Sequence, residues 1–523
     1  MNRPSPAPTP LTPGMDCDVL VVGGGINGTG IARDLAGRGL KVLLVEQHDL
    51  AAHTSSSSTK LIHGGLRYLE HYEFSLVRKA LAEREVLLRS APHIMWPLRF
   101  VMPHDPSMRP VWMIRAGLFL YDHLASRKVL AGSGALDLRR HEAGVPLQTR
   151  FRRGFVYSDG WVDDARLVIL CALDAQARGA TVLTRTACTE ARRTPQGWQA
   201  ELAGPQGRIA VQARMLINAA GPWAAQFLAE VATQPRVRPL RLVKGSHLVV
   251  PKCFDHPYAY IFQNPDKRII FAIPYEGDFT LIGTTDVEHH GSPGAAQVDG
   301  AEVDYLCAQA SRYFAQAVRP ETVVHRFAGV RPLLDDASGD PSAVTRDYLL
   351  ELDTQGAPLL NVWGGKITTF RKLAEEAAEQ VRRVLPGTGS AWTERAMLPG
   401  GDLTPVLGHL TRPDADFARY LDLLGQAWPQ VPAGRRLRLA RAYGTRASTL
   451  LAAPQGEEIA PGLFEAELEL LQREEWARNA DDVLWRRSKL GLHYDADQRA
   501  AVAAWFGPAA TRIETPTSEG AWS

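Results

Sequence analysis

Short apolar runs alternate with helical spacings at the start of the chain. Residues 18–22 and 41–45 are mostly apolar and rich in valine, which predicts two short buried strands. Between them, Ile31 and Leu35 recur at the spacing of one helical face, together with several alanines. Strand, helix, strand is the order of a parallel α/β unit, which we predict for residues 15–90.

The pattern changes twice further along the chain. Closely spaced apolar runs between about residues 240 and 330, joined by hairpin turns, predict an antiparallel sheet. Beyond about residue 390 the spacing is helical, and Phe464, Leu468 and Leu471 fall on one face. Further elements of the α/β kind are predicted at residues 74–90, 154–157, 164–178, 181–184, 210–218 and 361–363.

A glycine cluster separates the first predicted strand from the first predicted helix. Gly23, Gly25 and Gly28 have the G-x-G-x-x-G spacing, and Glu46 ends the second predicted strand. In a dinucleotide site such glycines allow a tight turn, close approach of the backbone to a pyrophosphate, and close helix–strand packing. The helix N-terminus attracts the phosphates, and the acidic residue accepts hydrogen bonds from the ribose. The motif in this context predicts a dinucleotide site.

The sequence contains one complete motif of this kind. An enzyme that also bound NAD(P)H would usually show a second strand, glycine motif and helix. We therefore predict that the nucleotide is a resident flavin, FAD, bound non-covalently. Its electrons must then pass to another acceptor, such as a quinone, a protein carrier or oxygen.

Three further segments are expected to line the flavin site. A serine-rich run at residues 53–60 continues into a glycine-containing segment, and Gly221 and Gly364 each lie between an apolar strand and a helix. A flexible surface loop is the other interpretation of the serine run. Besides the motif and Glu46, cofactor contacts are predicted for Ser57, Ser58, Lys60, His63, Gly64, Gly221, Gly364, Gly365, Lys366 and Thr368.

These patterns divide the chain of 523 residues into several domains. We expect a Pro-rich disordered leader at residues 1–14 and a helical C-terminal domain at residues 391–523. The remaining boundaries are residues 15–90, 150–235 and 325–390 for a discontinuous FAD-binding domain, and residues 91–149 and 236–324 for a substrate-binding or cap region.

Composition excludes several classes of protein. With 59 basic and 57 acidic side chains the formal charge is +2, which gives no electrostatic case for a nucleic-acid partner. The five cysteines are dispersed without a C-x-x-C pair, which favours reduced thiols over disulfides or a metal site. We accordingly predict no metal site, and no apolar run is long enough to span a bilayer.

Residues 96–124 combine aromatic side chains with arginines, and two interpretations remain open. Such a composition suits an element lying in a membrane interface. It also suits a core helix whose arginine stems reach to the surface, which this segment alone slightly favours.

Candidate side chains for catalysis are isolated in the sequence. Arg331, Arg346 and Lys366 together would hold a phosphate group, although surface salt bridges are the commoner role of such residues. His63 and His247 are candidate proton acceptors, although an isolated histidine is more often structural.

Several motifs together resemble the family of FAD-dependent glycerol-3-phosphate dehydrogenases, in its aerobic bacterial form. The resemblance covers nearly the whole chain after the leader, and its most specific part is the block at residues 58–74. The other matching stretches are residues 23–28, 159–167, 244–247, 282–286, 329–332, 364–366 and 480–487.

The resemblance implies a Rossmann-like FAD-binding domain of the glucose and D-amino-acid oxidase type, with an antiparallel-sheet substrate domain and a C-terminal helical domain. It also implies oxidation of sn-glycerol 3-phosphate to dihydroxyacetone phosphate, with electrons passed to ubiquinone. The expected enzyme is a peripheral or monotopic homodimer on the cytoplasmic face of the inner membrane.

Residue roles follow from the same resemblance. Substrate binding is implied for Arg67, Tyr68, Arg331 and Arg346, and a catalytic role for His247, Arg331 and Lys366. No calcium-binding D-x-[DN]-x-[DN]-G pattern occurs, which separates this chain from mitochondrial relatives. Two alternatives remain: a peroxide-forming oxidase of the same fold, acting on glycerol 3-phosphate or an amino acid, and a non-catalytic flavin-binding protein at a membrane.

Overall fold

The computed structural model describes residues 15–66, 69, 72–105, 110–234, 237–266, 268–334 and 347–507. Three of the residues implied in substrate binding, Arg67, Tyr68 and Arg346, lie outside these ranges, as does the predicted leader. The strands are β1 (Met15–Val22), β2 (Val42–Val45), β3 (Leu61–Ile62), β4 (Met95–His104), β5 (Gly134–Asp137), β6 (Arg153–Val162), β7 (Thr181–Leu183), β8 (Ala187–Thr194), β9 (Gly197–Gly204), β10 (Gly207–Asn218), β11 (Leu240–Pro251), β12 (Ala259–Gln263), β13 (Ile269–Tyr275), β14 (Phe279–Gly283), β15 (Val287–Glu288), β16 (His325–Leu334), β17 (Leu349–Asp353), β18 (Leu359–Trp363), β19 (Glu458–Ala460) and β20 (Leu463–Phe464).

Helices connect these strands and form the C-terminal part of the described chain. None of the described helices has both the length and the apolar character needed to cross a bilayer. The α-helices are α1 (Ile26–Gly37), α2 (Phe74–Ser90), α3 (Val111–His123), α4 (Asp164–Ala177), α5 (Ala224–Gln226), α6 (Gly300–Ser311), α7 (Phe370–Val384), α8 (Thr404–Leu407), α9 (Pro413–Ala427), α10 (Ala433–Tyr443), α11 (Arg446–Ala452), α12 (Glu465–Glu474) and α13 (Ala496–Phe506).

The first sheet has the order β17-β18-β10-β1-β2-β7, and its strands from β18 to β7 run parallel. Helices α1, α4 and α7 pack together on one face, where Ile31, Leu44 and Leu373 are fully buried. Leu20 and Leu43 are buried in a separate cluster on the other face. Burial on both faces explains why β1 and β2 are continuous apolar runs in the sequence.

The second sheet has the order β15-β11-β14-β13-β12-β4-β6-β3, with β16 paired to β11 and β5 to β6. Helix α6 packs on it and buries Leu306. Strands β3, β6 and β16 belong to this sheet, although their segments fall within the FAD-binding domain predicted from the sequence. A local pattern does not show which strand will be the partner, because pairing depends on distant segments.

The C-terminal helices, from α8 onward, enclose a core of their own. Phe417, Leu439 and Tyr443 are buried there. Helix α12 buries Leu468 and Leu471 on one face, as their spacing predicts. The α/β class with a helical C-terminal part is confirmed, and the second sheet is antiparallel except where β12 and β4 pair in parallel.

Candidate functional site

The glycine motif forms a tight cradle between β1 and α1. Gly23 has a φ of +115°, and a Cβ on it would lie 2.4 Å from the Ala219 carbonyl oxygen. A Cβ on Gly28 would lie 1.9 Å from the Gly23 carbonyl oxygen. A Cβ on Gly25 would meet only Ser55 Oγ within 4 Å among the described residues. Gly23 and Gly28 are therefore required for packing, whereas Gly25 leaves its backbone accessible to a ligand.

Glu46 lies at the carboxyl end of β2, beside this cradle. Its carboxylate accepts hydrogen bonds from the Gly24 N–H at 2.7 Å and the His48 N–H at 2.8 Å. Burial raises the pKa of Glu46, and these two N–H groups act in the opposite direction. The carboxylate is thus fixed beside the helix N-terminus, where ribose hydroxyls can donate to its remaining lone pairs.

The serine-rich loop is anchored to both the cradle and helix α4. Ser55 Oγ accepts the Ile26 N–H at 2.9 Å, and Ser58 Oγ donates to Asp164 at 2.7 Å. Lys60 Nζ donates to the other oxygen of Asp164 at 2.8 Å in a buried ion pair. The Lys60 ammonium therefore fixes the loop, and cofactor binding by Lys60 stays a prediction.

The same loop packs against the second sheet. Thr54 Oγ1 donates to the Val330 carbonyl oxygen at 2.7 Å. A Cβ on Gly329 would lie 2.8 Å from the Ser57 Cβ, so strand β16 approaches the loop closely at this glycine. The contact joins the nucleotide cradle to the sheet that carries Arg331 and His247.

Two further glycine turns adjoin the cradle. Gly364 and Gly365 have φ angles of +70° and +108°, and the Gly364 carbonyl accepts the Asn27 side-chain amide at 3.0 Å. The His63 N–H donates to the buried Thr368 hydroxyl at 3.2 Å. Gly221, also at positive φ, begins the turn after β10. The structure thus brings the predicted residues around Gly25, Thr368 and His63 into one region.

The backbone of Gly64 contacts a buried polar cluster that the sequence did not predict. Its N–H donates to Tyr121 Oη at 2.8 Å, and Tyr121 Oη in turn donates to Asp159 at 2.8 Å. Arg84 Nη1 contacts the same carboxylate at 2.5 Å. No signal in the sequence joins these residues, because they come from α2, α3 and β6.

His247 lies on β11 and has no solvent-exposed surface. Its Nε2 is 2.9 Å from the Thr59 hydroxyl, and its ring stacks on Phe327 at 4.9 Å between centroids. Burial lowers the pKa of His247 well below 6.5, with nearby Arg331 and Lys60 acting in the same direction. The ring is therefore a neutral imidazole, and it meets the half-buried loop residue Thr59 through its Nε2 edge.

Arg331 points from β16 toward the loop after β14. Its Nη2 donates to Thr284 Oγ1 at 3.2 Å, and its Nη1 forms an ion pair with Asp286. A Cβ on Gly245 would lie 2.4 Å from Arg331 Nη2, so this glycine provides the space for the guanidinium. Lys366 is half-buried at the start of the turn Ile367–Thr369 that contains Thr368.

Helix α3 presents an apolar face that the described part of the chain leaves exposed. Trp112 is 68% exposed and Phe119 is 60% exposed. Arg115 lies exposed on the same helix, whereas Leu118 is buried. Residues 96–124 thus divide into the strand β4 and a surface helix, so neither sequence interpretation describes the whole segment.

Comparisons with known proteins agree with this architecture. Residues 18–371 match the family of FAD dependent oxidoreductases, DAO. The chain is 51% identical over 511 residues to a glycerol-3-phosphate dehydrogenase of Pseudomonas aeruginosa, which covers 96% of this chain and 97% of that protein. It is 50% identical over 498 residues to a D-erythritol 1-phosphate dehydrogenase of Brucella abortus, which covers 94% of this chain and 97% of that protein.

A solved structure has a similar fold. The glycerol-3-phosphate dehydrogenase from Bacillus halodurans, complexed with FAD, superposes with a TM-score of 0.75 at 26% identity. The superposition covers 95% of this chain and 92% of the Bacillus halodurans chain. The open backbone at Gly25 and the fixed carboxylate of Glu46 fit FAD as the cofactor. The chain therefore belongs to the DAO family of FAD-dependent oxidoreductases and, within it, to the glycerol-3-phosphate dehydrogenase family.

Proposed function

We propose that the protein oxidises sn-glycerol 3-phosphate to dihydroxyacetone phosphate and passes the electrons to ubiquinone. The observation that carries this proposal is the contact between the serine-rich loop at residues 53–60 and strand β16. Through it, Arg331 and His247 adjoin the loop that follows the nucleotide cradle. A phosphate-binding cation and a neutral base beside a flavin are what oxidation of a phosphorylated secondary alcohol requires.

Bound FAD supplies the chemistry that this chain lacks, because its flavin accepts a hydride. Arg331 would hold the substrate phosphate by charge-assisted hydrogen bonds, together with Arg67, Tyr68 and Arg346. Binding the remote phosphate orients the C2 carbon for reaction. Lys366 would stabilise negative charge near the N1–C2 carbonyl side of the bound flavin.

His247 would accept the proton of the C2 hydroxyl group. Because His247 is fully buried and its Nε2 meets Thr59, the proton would travel through the Thr59 hydroxyl. The substrate hydroxyl gives its proton to Thr59 Oγ1, and Thr59 gives its own proton to His247 Nε2. A neutral imidazole is the form that can accept this proton.

The exposed face of α3 supports a peripheral location on a membrane, and the family resemblance implies the cytoplasmic face of the inner membrane. Trp112 and Phe119 would enter the lipid interface, and Arg115 would meet anionic headgroups. Ubiquinone is dissolved in the bilayer, so contact with lipid would give the enzyme access to its electron acceptor. We further propose that the enzyme acts as a homodimer, as the family resemblance implies.

A second candidate substrate is D-erythritol 1-phosphate. The relative from Brucella abortus that is named for this substrate is as similar to this chain as the relative from Pseudomonas aeruginosa. Both substrates present a phosphate at one end of a polyol, so the roles proposed for Arg331 and His247 serve either.

Anaerobic reduction of the flavin tests the proposal. Adding glycerol 3-phosphate to the oxidised holoenzyme should bleach the flavin absorbance, and adding a ubiquinone analogue should restore it. Bleaching by D-erythritol 1-phosphate alone would transfer the assignment to the second candidate, and bleaching by neither would refute both. Hydrogen peroxide formed in air in preference to reduced quinone would identify an oxidase.

A further inference from the structure

The loop after Glu46 is held from the far end of the chain. Asp49 lies in this loop and is only 3% exposed. Arg486 Nε donates to Asp49 Oδ2 at 2.6 Å, and Arg487 Nη2 donates to Asp49 Oδ1 at 2.8 Å. Both carboxylate oxygens are therefore bound by arginines of the helical segment Asp482–Arg487.

The loop that carries Asp49 is also part of the nucleotide site. His48 donates its N–H to Glu46, and Ala51 donates its N–H to the Gly24 carbonyl oxygen at 3.3 Å. Arg185 N–H donates to the His48 carbonyl oxygen at 2.7 Å, which ties the loop to β7 and β8. Any shift of Asp49 is thus transmitted within a few residues to Glu46 and to the glycine turn.

The contact is highly charged and largely buried. Arg487 is 1% exposed, and its Nε also donates to the Glu475 carbonyl oxygen at 2.9 Å. Arg185 Nη2 donates to Asp482 at 2.6 Å, so the helical segment is fixed at a second point. Burial would raise the pKa of Asp49, but Arg487 and Arg486 hold it far below its usual range. Loss of Arg486 would leave the buried Asp49 carboxylate with Arg487, and with Arg185 at 3.8 Å, and so would weaken the compensation of its charge.

We propose that Arg486 and Arg487 are positioning residues for FAD. They fix Asp49, and Asp49 fixes the loop that places Glu46 beside the ribose. Residues 18–371 match the family model, so this support comes from a segment outside it. The C-terminal domain therefore completes the nucleotide site. The proposal depends on FAD as the cofactor and not on the identity of the substrate.

The test compares two arginines of the C-terminal domain. Arg486→Gln removes one contact to Asp49, and Arg486 is the more exposed of the two arginines at this contact. Arg438→Gln is the matched control, because Arg438 pairs with Glu467 at 2.6 Å within the C-terminal domain. The rate of FAD release from each holoenzyme is followed by the rise in flavin fluorescence after dilution. Melting temperatures of the apoproteins record the structural cost of each change.

We expect Arg486→Gln to release FAD about tenfold faster than wild type, and Arg438→Gln to stay within about twofold. Arg486→Lys should fall between wild type and Arg486→Gln, because a lysine keeps the charge but makes fewer hydrogen bonds. Equal release rates for the two Gln variants would overturn the proposal. Were Arg486→Gln not recovered as a folded holoenzyme, release at the wild-type rate from Arg486→Lys would overturn it equally.

Discussion

Single glycines determine where the side chains of Arg331 and His247 can lie. A Cβ on Gly245 would meet Arg331 Nη2, and a Cβ on Gly283 would lie 2.1 Å from His247 Cδ2. These glycines therefore provide space for the guanidinium and the imidazole. The motifs that contain them are recognisable in the sequence for this physical reason.

Arg331 supplies the first test at the residue scale. Arg331→Ala should raise KM for glycerol 3-phosphate by about 100-fold while FAD remains bound, because a charge-assisted phosphate contact is lost. Steady-state kinetics and the flavin absorbance of the purified protein measure both quantities. Arg326→Ala, an exposed position on the same strand, should leave KM unchanged. An unchanged KM in Arg331→Ala would exclude Arg331 from substrate binding.

The hydroxyl of Thr59 provides a second test at the residue scale. Thr59→Val should slow anaerobic flavin reduction by about 100-fold, whereas Thr59→Ser, which keeps the hydroxyl, should stay within about threefold of wild type. Because the pKa of His247 is lowered well below 6.5, the base stays neutral through that pH. We therefore expect no loss of the reduction rate from His247 as pH falls to 6.5. Equal rates in the Val and Ser variants would exclude a proton path through Thr59.

At the scale of elements, the apolar spacing predicts whether a segment is a helix or a strand better than it predicts which strand pairs with which. Helices α2 and α4 and strands β1 and β2 lie where the sequence pattern predicts them. The structure of residues 96–124 does not follow from their spacing, because β4 is defined by pairing with β6 and α3 by its surface location. Neither property is recorded in the local spacing of apolar residues.

Helix α3 provides a prediction at this scale. Trp112→Ser and Phe119→Ser should each weaken binding to vesicles containing anionic lipid by about tenfold, since each removes a large apolar side chain from the interface. Co-sedimentation with the vesicles measures the change. Leu437→Ser, at an exposed apolar position on α10, is the control and should bind as wild type does. Vesicle binding at the wild-type level by a variant that carries both Trp112→Ser and Phe119→Ser would contradict the assignment of this face.

At the scale of the whole molecule, the site depends on contacts between distant segments. The turns at Gly23 and Gly364 could be predicted because short-range patterns mark them, whereas the cofactor roles of Glu46 and Thr368 stay predictions. The pairs Lys60–Asp164, Thr59–His247 and Asp49–Arg487 could not be predicted, because only the tertiary fold brings each pair together. The burial of His247 likewise emerges only once β11 is enclosed.

Buried histidines distributed over the fold make acid sensitivity a property of the whole molecule. Burial lowers the pKa of His53 and His325 to about 4 and that of His93 to about 3. His93 has no exposed surface, and its ring nitrogens have no hydrogen-bond partner among the described residues. The folded state therefore holds a neutral ring where the unfolded chain binds a proton below pH 6.5.

This difference gives the sign of the pH dependence. Stability that depends on neutral His93 is fully present above pH 6.5 and is lost as pH falls toward 3, at about 1.4 kcal/mol per pH unit. His93→Leu removes that proton uptake, so its free energy of unfolding should fall less steeply than that of wild type between about pH 6 and pH 5. Urea denaturation across this range measures both slopes. His290→Leu, at an exposed position, should keep the wild-type slope, and a wild-type slope in His93→Leu would show that His93 is not neutral in the folded protein.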